Sequence, residues 1–147
     1  MSAAVLAIDP GRDKCGLALL DSTGAILKMQ IVESSRLVDT VVDWTSRLVD
    51  TVVDWTSTLE STTVVMGSGT GSKSLRKELA ERIGPDRLII VDEFGSTEMA
   101  KILYFEANPP RGIWRFIPIS LQVPPRAVDD YAAAVLGRKF LGIRWDM

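Results

Sequence analysis

The stretch Ile8-Asp9-Pro10-Gly11-Arg12-Asp13-Lys14-Cys15-Gly16 decides the fold. An apolar run, Ala3 to Ile8, leads into it and ends on Asp9; a second, Leu17 to Leu20, leaves it and ends on Asp21. This pattern predicts a strand, a tight turn and a returning strand. Asp9 then closes a strand that reads as buried, and ionised carboxylates are rarely buried without a partner because desolvation is costly. Gly11 and Gly16 let the backbone approach something closely or adopt positive φ. Two uses fit these residues. One is a carboxylate facing a metal or phosphate beside a turn that admits a polyanion; the other is an ordinary hairpin whose aspartate caps its turn.

Working outward, Ala3–Asp9, Gly16–Asp21 and Ala25–Val32 read as three successive strands, with Asp21-Ser22-Thr23-Gly24 turning the second into the third. They predict an antiparallel meander. Thr62–Met66 reads as a short buried strand. After it, Gly67-Ser68-Gly69-Thr70-Gly71-Ser72 leads to a helix with Leu75, Leu79 and Ile83 on one face, stopped by Gly84-Pro85. That glycine-rich loop either holds a phosphate at the helix N-terminus or simply joins strand to helix; it matches no established phosphate-loop pattern. Arg87–Val91 reads as another buried strand. It ends on Asp92-Glu93, and Ser96 or Thr97 caps a helix over Glu98–Ala107. Ala127–Leu141 reads as the last helix, with Asp129 and Asp130 in its first turn, where acids favour the helix dipole. The order β-β-β-α-β-α-β-α-α predicts an α/β fold: a mixed five-stranded sheet, meander plus parallel strands, flanked by helices.

Composition bounds the chemistry. A length of 147 residues suits one domain over 1–147, and 46% hydrophobic residues can bury a substantial core. No apolar run approaches the ~20 residues needed to span a bilayer. The first cation is Arg12, after the apolar run, so the N-terminus does not resemble a signal peptide. Cys15 is alone, which excludes an intrachain disulfide and suits a reducing cytoplasm. The absence of histidine removes Ser-His-Asp and Cys-His catalysis and histidine-ligated zinc. Any metal here would take oxygen ligands, which favours Mg²⁺ or Mn²⁺. A net charge of −2 and a pI near 5.2 argue against a general nucleic-acid coat protein but not against a local basic groove.

Such a groove has a candidate. Residues 109–126 hold five of the seven prolines, so regular structure is not expected there. They also hold Arg111, Arg115 and Arg126 and no acidic residue, with Trp114 and Phe116 interleaved. Arginine with aromatics suits phosphate contacts and base stacking. The alternative is that the two rings pin the loop to the core.

Three carboxylate positions end elements: Asp9, Glu93 and Asp129. Ligand sites in such sheets lie at the carboxyl ends of strands. Two cations ~3.5–4 Å apart on converging acids can activate a water and stabilise the leaving oxygen of a phosphodiester. The segments AIDPGRDKCGLALLD, VDEFGST and AVDDYAAAVL resemble the three motifs of the YqgF (RuvX) family, and the resemblance spans nearly the whole chain. That family has a ribonuclease H-like fold. It comprises Holliday-junction-resolvase-like nucleases, also implicated in processing the 5′ end of pre-16S rRNA. The resemblance implies that Asp9, Glu93 and Asp129 are the catalytic acids and metal ligands, with Asp130 as the neighbour to which the last assignment can slip. Lys14 and Gly16 match the family's basic residue and glycine after the first turn. One departure is Phe94, where the family commonly has arginine; Arg12 or Arg111 would have to replace that cation.

The expectation is therefore a Mg²⁺- or Mn²⁺-dependent endonuclease acting on branched DNA or precursor rRNA. Arg12, Lys14, Arg111, Arg115 and Arg126 would hold the nucleic acid. A binding module that keeps the fold without catalysis is a second reading, which Phe94 and the acidic pI favour. An actin-like ATP phosphotransferase, which shares the aspartate-glycine hairpin, is a third, disfavoured because the chain is too short for two nucleotide-clamping lobes.

One feature belongs to none of these. SRLVDTVVDWT occupies residues 35–45 and again 46–56, without a mismatch. Diverged repeats do not look like this, so the duplication is recent or deliberate. Eleven residues are close to three helical turns, so the insertion nearly keeps the helical face. The stripe Leu37, Val41, Trp44, Leu48, Val52, Trp55, Leu59 has spacings of 4, 3, 4, 4, 3 and 4, which predicts one long amphipathic helix. At ~1.5 Å per residue, residues 35–60 would run on the order of 39 Å. Strands of five to eight residues span only ~17–26 Å. One copy should cover the sheet and the other overhang it with an apolar stripe, predicting a twofold homodimer through this helix. The alternative is that the surplus copy bulges into a loop. Size-exclusion chromatography with light scattering checks it: deleting residues 46–56 should halve the mass of the particle, and equal masses would rule the helix out as the dimer contact.

Overall fold

A computed structural model describes residues 3–51, 63–69, 72–92 and 96–142; within these, side chains are described for 5–45, 63–69, 73–92 and 98–142. Five strands, β1 (Ala3–Asp9), β2 (Lys14–Asp21), β3 (Ile26–Glu33), β4 (Thr63–Gly67) and β5 (Leu88–Val91), form one sheet in the order β3-β2-β1-β4-β5. The pairs β1–β2 and β2–β3 are antiparallel, and β1–β4 and β4–β5 are parallel. The expected mixed sheet is therefore present. Turns of opposite sense explain it: tight hairpins return the first three strands, whereas helical crossovers carry the chain back to start β4 and β5 in parallel.

Among the described residues, four α-helices flank the sheet: α1 (Leu37–Thr51), α2 (Ser72–Ile83), α3 (Ser96–Ala107) and α4 (Asp129–Phe140). Strand alternation sorts the core into two layers. Leu6 and Ile8 of β1 face α1 and α2, packing with Leu17, Val64, Met66, Leu37, Val41, Trp44 and Leu79. Val5 and Ala7 face α3 and α4, packing with Ala18, Val65, Leu103, Tyr104 and Ala133. The first copy of the duplicated segment thus supplies the buried stripe. The helix continues into the second copy as far as Thr51, while residues 52–62 lie outside the described residues.

Two expectations change. Arg87–Val91 was expected as a buried strand, but β5 is the sheet's outer strand and Ile89 is 39% exposed. Its β-branched run reflects one covered face, not two. Trp114 and Phe116 do not pin residues 109–126 to the core; they are 55% and 75% exposed. Short 3-10 turns at Gly112–Phe116 and Ile119–Leu121 shape that segment instead. No helix among the described residues is long and apolar enough to cross a membrane.

The β2–β3 turn is organised by Asp21. Its Oδ1 accepts hydrogen bonds from Thr23 Oγ1, from Thr23 N at 2.8 Å and from Ala25 N at 3.1 Å. Arg138 of α4 donates to Gly24 O at 2.9 Å, fastening the far end of α4 to the same turn. The Thr23 hydroxyl and these amides hold the Asp21 carboxyl below its ordinary value of 3.8, against the opposing effect of burial. A depressed folded pKa stabilises above the unfolded value and loses that contribution as pH falls through the folded value. Thermal melts of Asp21→Ala against the parent should therefore show a deficit at pH 7 that narrows below about pH 4.

Candidate metal and nucleic-acid site

Asp9 sits where the sheet and α4 are forced together. By alternation it shares the face of Val5 and Ala7, the face that α4 covers. Opposite Asp9 in the ladder is Gly16. A Cβ added at Gly16 would lie 1.8 Å from the carbonyl oxygen of Asp129, so only glycine lets the first turn of α4 descend there. The other end of α4 is also close to the sheet: a Cβ on Gly137 would meet Leu20 Cδ1 at 2.0 Å, which the leucine side chain would have to vacate, and Ala7 Cβ at 3.2 Å. Two glycines, one in the sheet and one in the helix, thus seat α4 across β1 and β2 and bring Asp129 to the end of the sheet that carries Asp9.

The turn between β1 and β2 is tied to the start of α1. Ser34 Oγ donates to Gly11 O at 2.8 Å and lies 3.3 Å from the buried Cys15 Sγ, while Ser34 N donates to Asp13 O at 2.8 Å. Cys15 is a packing and hydrogen-bonding residue here. Arg12 and Lys14 project from this turn and are exposed. Lys14 lies close enough to act on Asp129 electrostatically.

The two carboxylates of the α4 N-terminus have opposite surroundings. Asp130 is buried and takes a bidentate fork from Arg126, at 3.2 and 3.3 Å, and an amide bond from Tyr131 N at 2.9 Å. Arg126 in turn stacks over Tyr104 and Tyr131, 5.5 and 5.3 Å from their centroids. Asp130 and Arg126, expected on the metal and on the nucleic acid, pair with each other in this structure and tie the start of α4 to α3 through Tyr104. Asp129 makes no ion pair among the described residues. Burial pushes its carboxyl above 3.8, the neighbouring Asp130 charge pushes it further, and Lys14 only partly opposes this.

Glu93 and Phe94 lie outside the described residues, as do Thr70 and Gly71 of the glycine-rich loop. The strand before Glu93 ends level with β4: Val91 pairs with Gly67, and Ser68 N donates to Val91 O at 3.1 Å. Among the described residues no group of three or more acids, cysteines or histidines assembles. Asp9 and Asp129 remain a donor set of hard oxygens. Mg²⁺ is commonly held by one or two carboxylates plus water and substrate phosphate, so these residues fit it.

Arg111 and Arg115 are exposed on the proline-rich segment, Arg115 lying 4.8 Å over the Phe116 ring. Sequence reasoning missed two supports of this region: the Arg126–Asp130 clip and Gln122, which is buried and donates to the carbonyls of Trp114 and Ile117 at 2.9 and 2.7 Å. The i, i+4 spacing of Arg126 and Asp130 was the available signal for the first; a lone glutamine offers none. No family model matches the chain, and comparison with curated proteins finds no match.

Asp129 generates a pH-dependent prediction. A carboxyl whose folded pKa is raised destabilises the folded protein above that pKa, and the penalty vanishes as pH falls below the unfolded value. In EDTA, Asp129→Asn should melt above the parent at pH 7, and the two should converge as pH falls below the unfolded value of 3.8. A lower melting temperature at pH 7 would mean the charge is stabilising where it sits.

Proposed function

We propose that this protein is a divalent-metal-dependent nuclease of ribonuclease H-like fold, hydrolysing phosphodiester bonds in branched DNA or precursor 16S rRNA. The observation that carries the proposal is the seating of Asp129 over Gly16, across the ladder from Asp9, with the Asp129 carboxyl held up by burial and a like charge. Burial and the Asp130 charge work against this carboxylate, and a divalent cation held beside it would offset both. The YqgF-like motifs support the same reading, and through them Glu93 joins Asp9 and Asp129 as a ligand.

Mg²⁺ or Mn²⁺ bound there supplies Lewis-acid polarisation of the phosphodiester and makes water a stronger nucleophile at neutral pH. The remaining roles belong to side chains of this protein. Asp9 and Asp129 fix the cation at the strand ends. Lys14 and Arg12, exposed on the turn beside them, take the phosphate charge on either side of the scissile bond. Asp130 keeps Arg126 and the α3–α4 junction rigid, so that Asp129 does not swing when the cation binds.

A second reading, a binding module without catalysis, is favoured by Phe94 in place of the family's arginine and by the exposed rings of Trp114 and Phe116. Incubating the pure protein with four-way DNA junctions and with precursor rRNA, in Mn²⁺ and in EDTA, tests both. Cleavage is expected in Mn²⁺ alone. Asp9→Asn and Asp129→Asn should each lower its rate about a thousandfold, about 4 kcal/mol of transition-state stabilisation, while keeping affinity within about threefold. Tight binding with no cleavage in any divalent metal would leave the binding module standing.

A further inference from the structure

Residues 109–126 are held in shape by polar groups together with Ile119, which packs against the core. The Gln122 amide spans the carbonyls of Trp114 and Ile117, Ile117 N donates back to Trp114 O at 3.1 Å, and Lys101 of α3 donates to Ser120 O at 3.1 Å. The rings that would ordinarily anchor such a segment face outward instead. Trp114 and Phe116 are exposed on a stapled backbone, and contiguous apolar surface of this kind marks an interaction site.

The charges around the rings are of one sign. Arg115 lies over Phe116, Arg111 and Trp114 line a groove of about 590 Å³ beside the end of α3, and the segment contains no acidic residue. An apolar peptide would offer the two guanidinium groups only neutral carbonyl acceptors, with no charge to match theirs. A single nucleic-acid strand offers a phosphate to each arginine and a flat base to each ring. The segment also runs directly into α4, with Arg126 only three positions before Asp129.

We infer that residues 109–126 form a stacking platform for unpaired nucleotides, with base faces on Trp114 and Phe116 and phosphates on Arg111 and Arg115. The inference rests on the reading of the carboxylate end as acting on nucleic acid, and it specifies the substrate. A duplex hides its base faces, so the platform selects a strand that is single where it passes the rings.

Fluorescence anisotropy of the full chain with labelled ten-nucleotide single strands of rU and dT, and with a ten-base-pair duplex, tests this in EDTA, where hydrolysis plays no part. The parent should prefer the single strands. Trp114→Ala combined with Phe116→Ala should weaken single-strand binding about tenfold or more and leave duplex binding unchanged. Arg111→Gln and Arg115→Gln should each weaken both and shallow the salt dependence by about one unit. Both rings are exposed, so the melting temperature should hold; if the double variant melts early, Phe116→Ala alone carries the test. Unchanged single-strand affinity in the ring variants overturns the platform. So does a change in light-scattering mass without a change in affinity, which would assign the rings to a protein contact. A parent that never cleaves but loses single-strand affinity with its rings keeps the platform and removes the nuclease; cleavage with unaltered single-strand affinity does the reverse.

Discussion

The closeness of one helix to the sheet governs the molecule. α4 crosses β1 and β2 at a separation that permits no Cβ at Gly16 against the Asp129 backbone, and one at Gly137 would press on the Leu20 side chain. Ala133, four positions from each of Asp129 and Gly137, is short and buried, so it does not prop the helix away there. Close packing of this kind is intolerant of added volume, because interiors are filled to crystal-like density. It is also what carries an acid on a helix to an acid on a strand that lies more than a hundred residues earlier in the chain.

Electrostatics then divides two adjacent residues. Asp129 and Asp130 follow one another in the first turn of α4, where the helix dipole favours a negative charge. Asp130 turns into the α3–α4 junction and meets a guanidinium held between two tyrosine rings. Asp129, beside Gly16 at the sheet end, is partly buried, and the Asp130 charge next to it raises its carboxyl further while Lys14 only partly opposes this. One of two adjacent acids is thus neutralised by a partner and the other is not stabilised by its surroundings.

The strand order was legible because periodicity and turn chemistry agree throughout: β1 begins and ends at the residues the apolar run marks, and the Asp21–Gly24 turn lies where its residues demand. The layers were legible from the Leu37, Val41, Trp44 stripe. The edge position of β5 was not, because four apolar residues read alike on a covered and a half-covered strand. Asp9 and Asp129 stood out in the sequence as acids at element ends, but the seating of α4 by Gly16 and Gly137 depends on contacts between distant segments. The pairing of Asp130 with Arg126 was open to local spacing, i to i+4, but its place over Tyr104 and Tyr131 again depends on contacts between distant segments. The outward-facing rings of residues 109–126 follow from Gln122, whose role no spacing announces.

The direction of α1 has a consequence for how this protein tolerates change in length. Glu33, the last residue of β3, pairs with Lys14, so α1 begins at the sheet end that carries the acids, where Ser34 ties it to the β1–β2 turn. The helix then runs away from that end, and β4 starts beside Val5, near the beginning of β1. The start of β4 therefore lies at the pole opposite the one that carries Asp9 and Asp129. At the carboxylate pole, lengths are fixed by the Ser34 hydrogen bonds and the Gly16 contact, so a residue added to the β1–β2 turn or before α1 would have to break one of them.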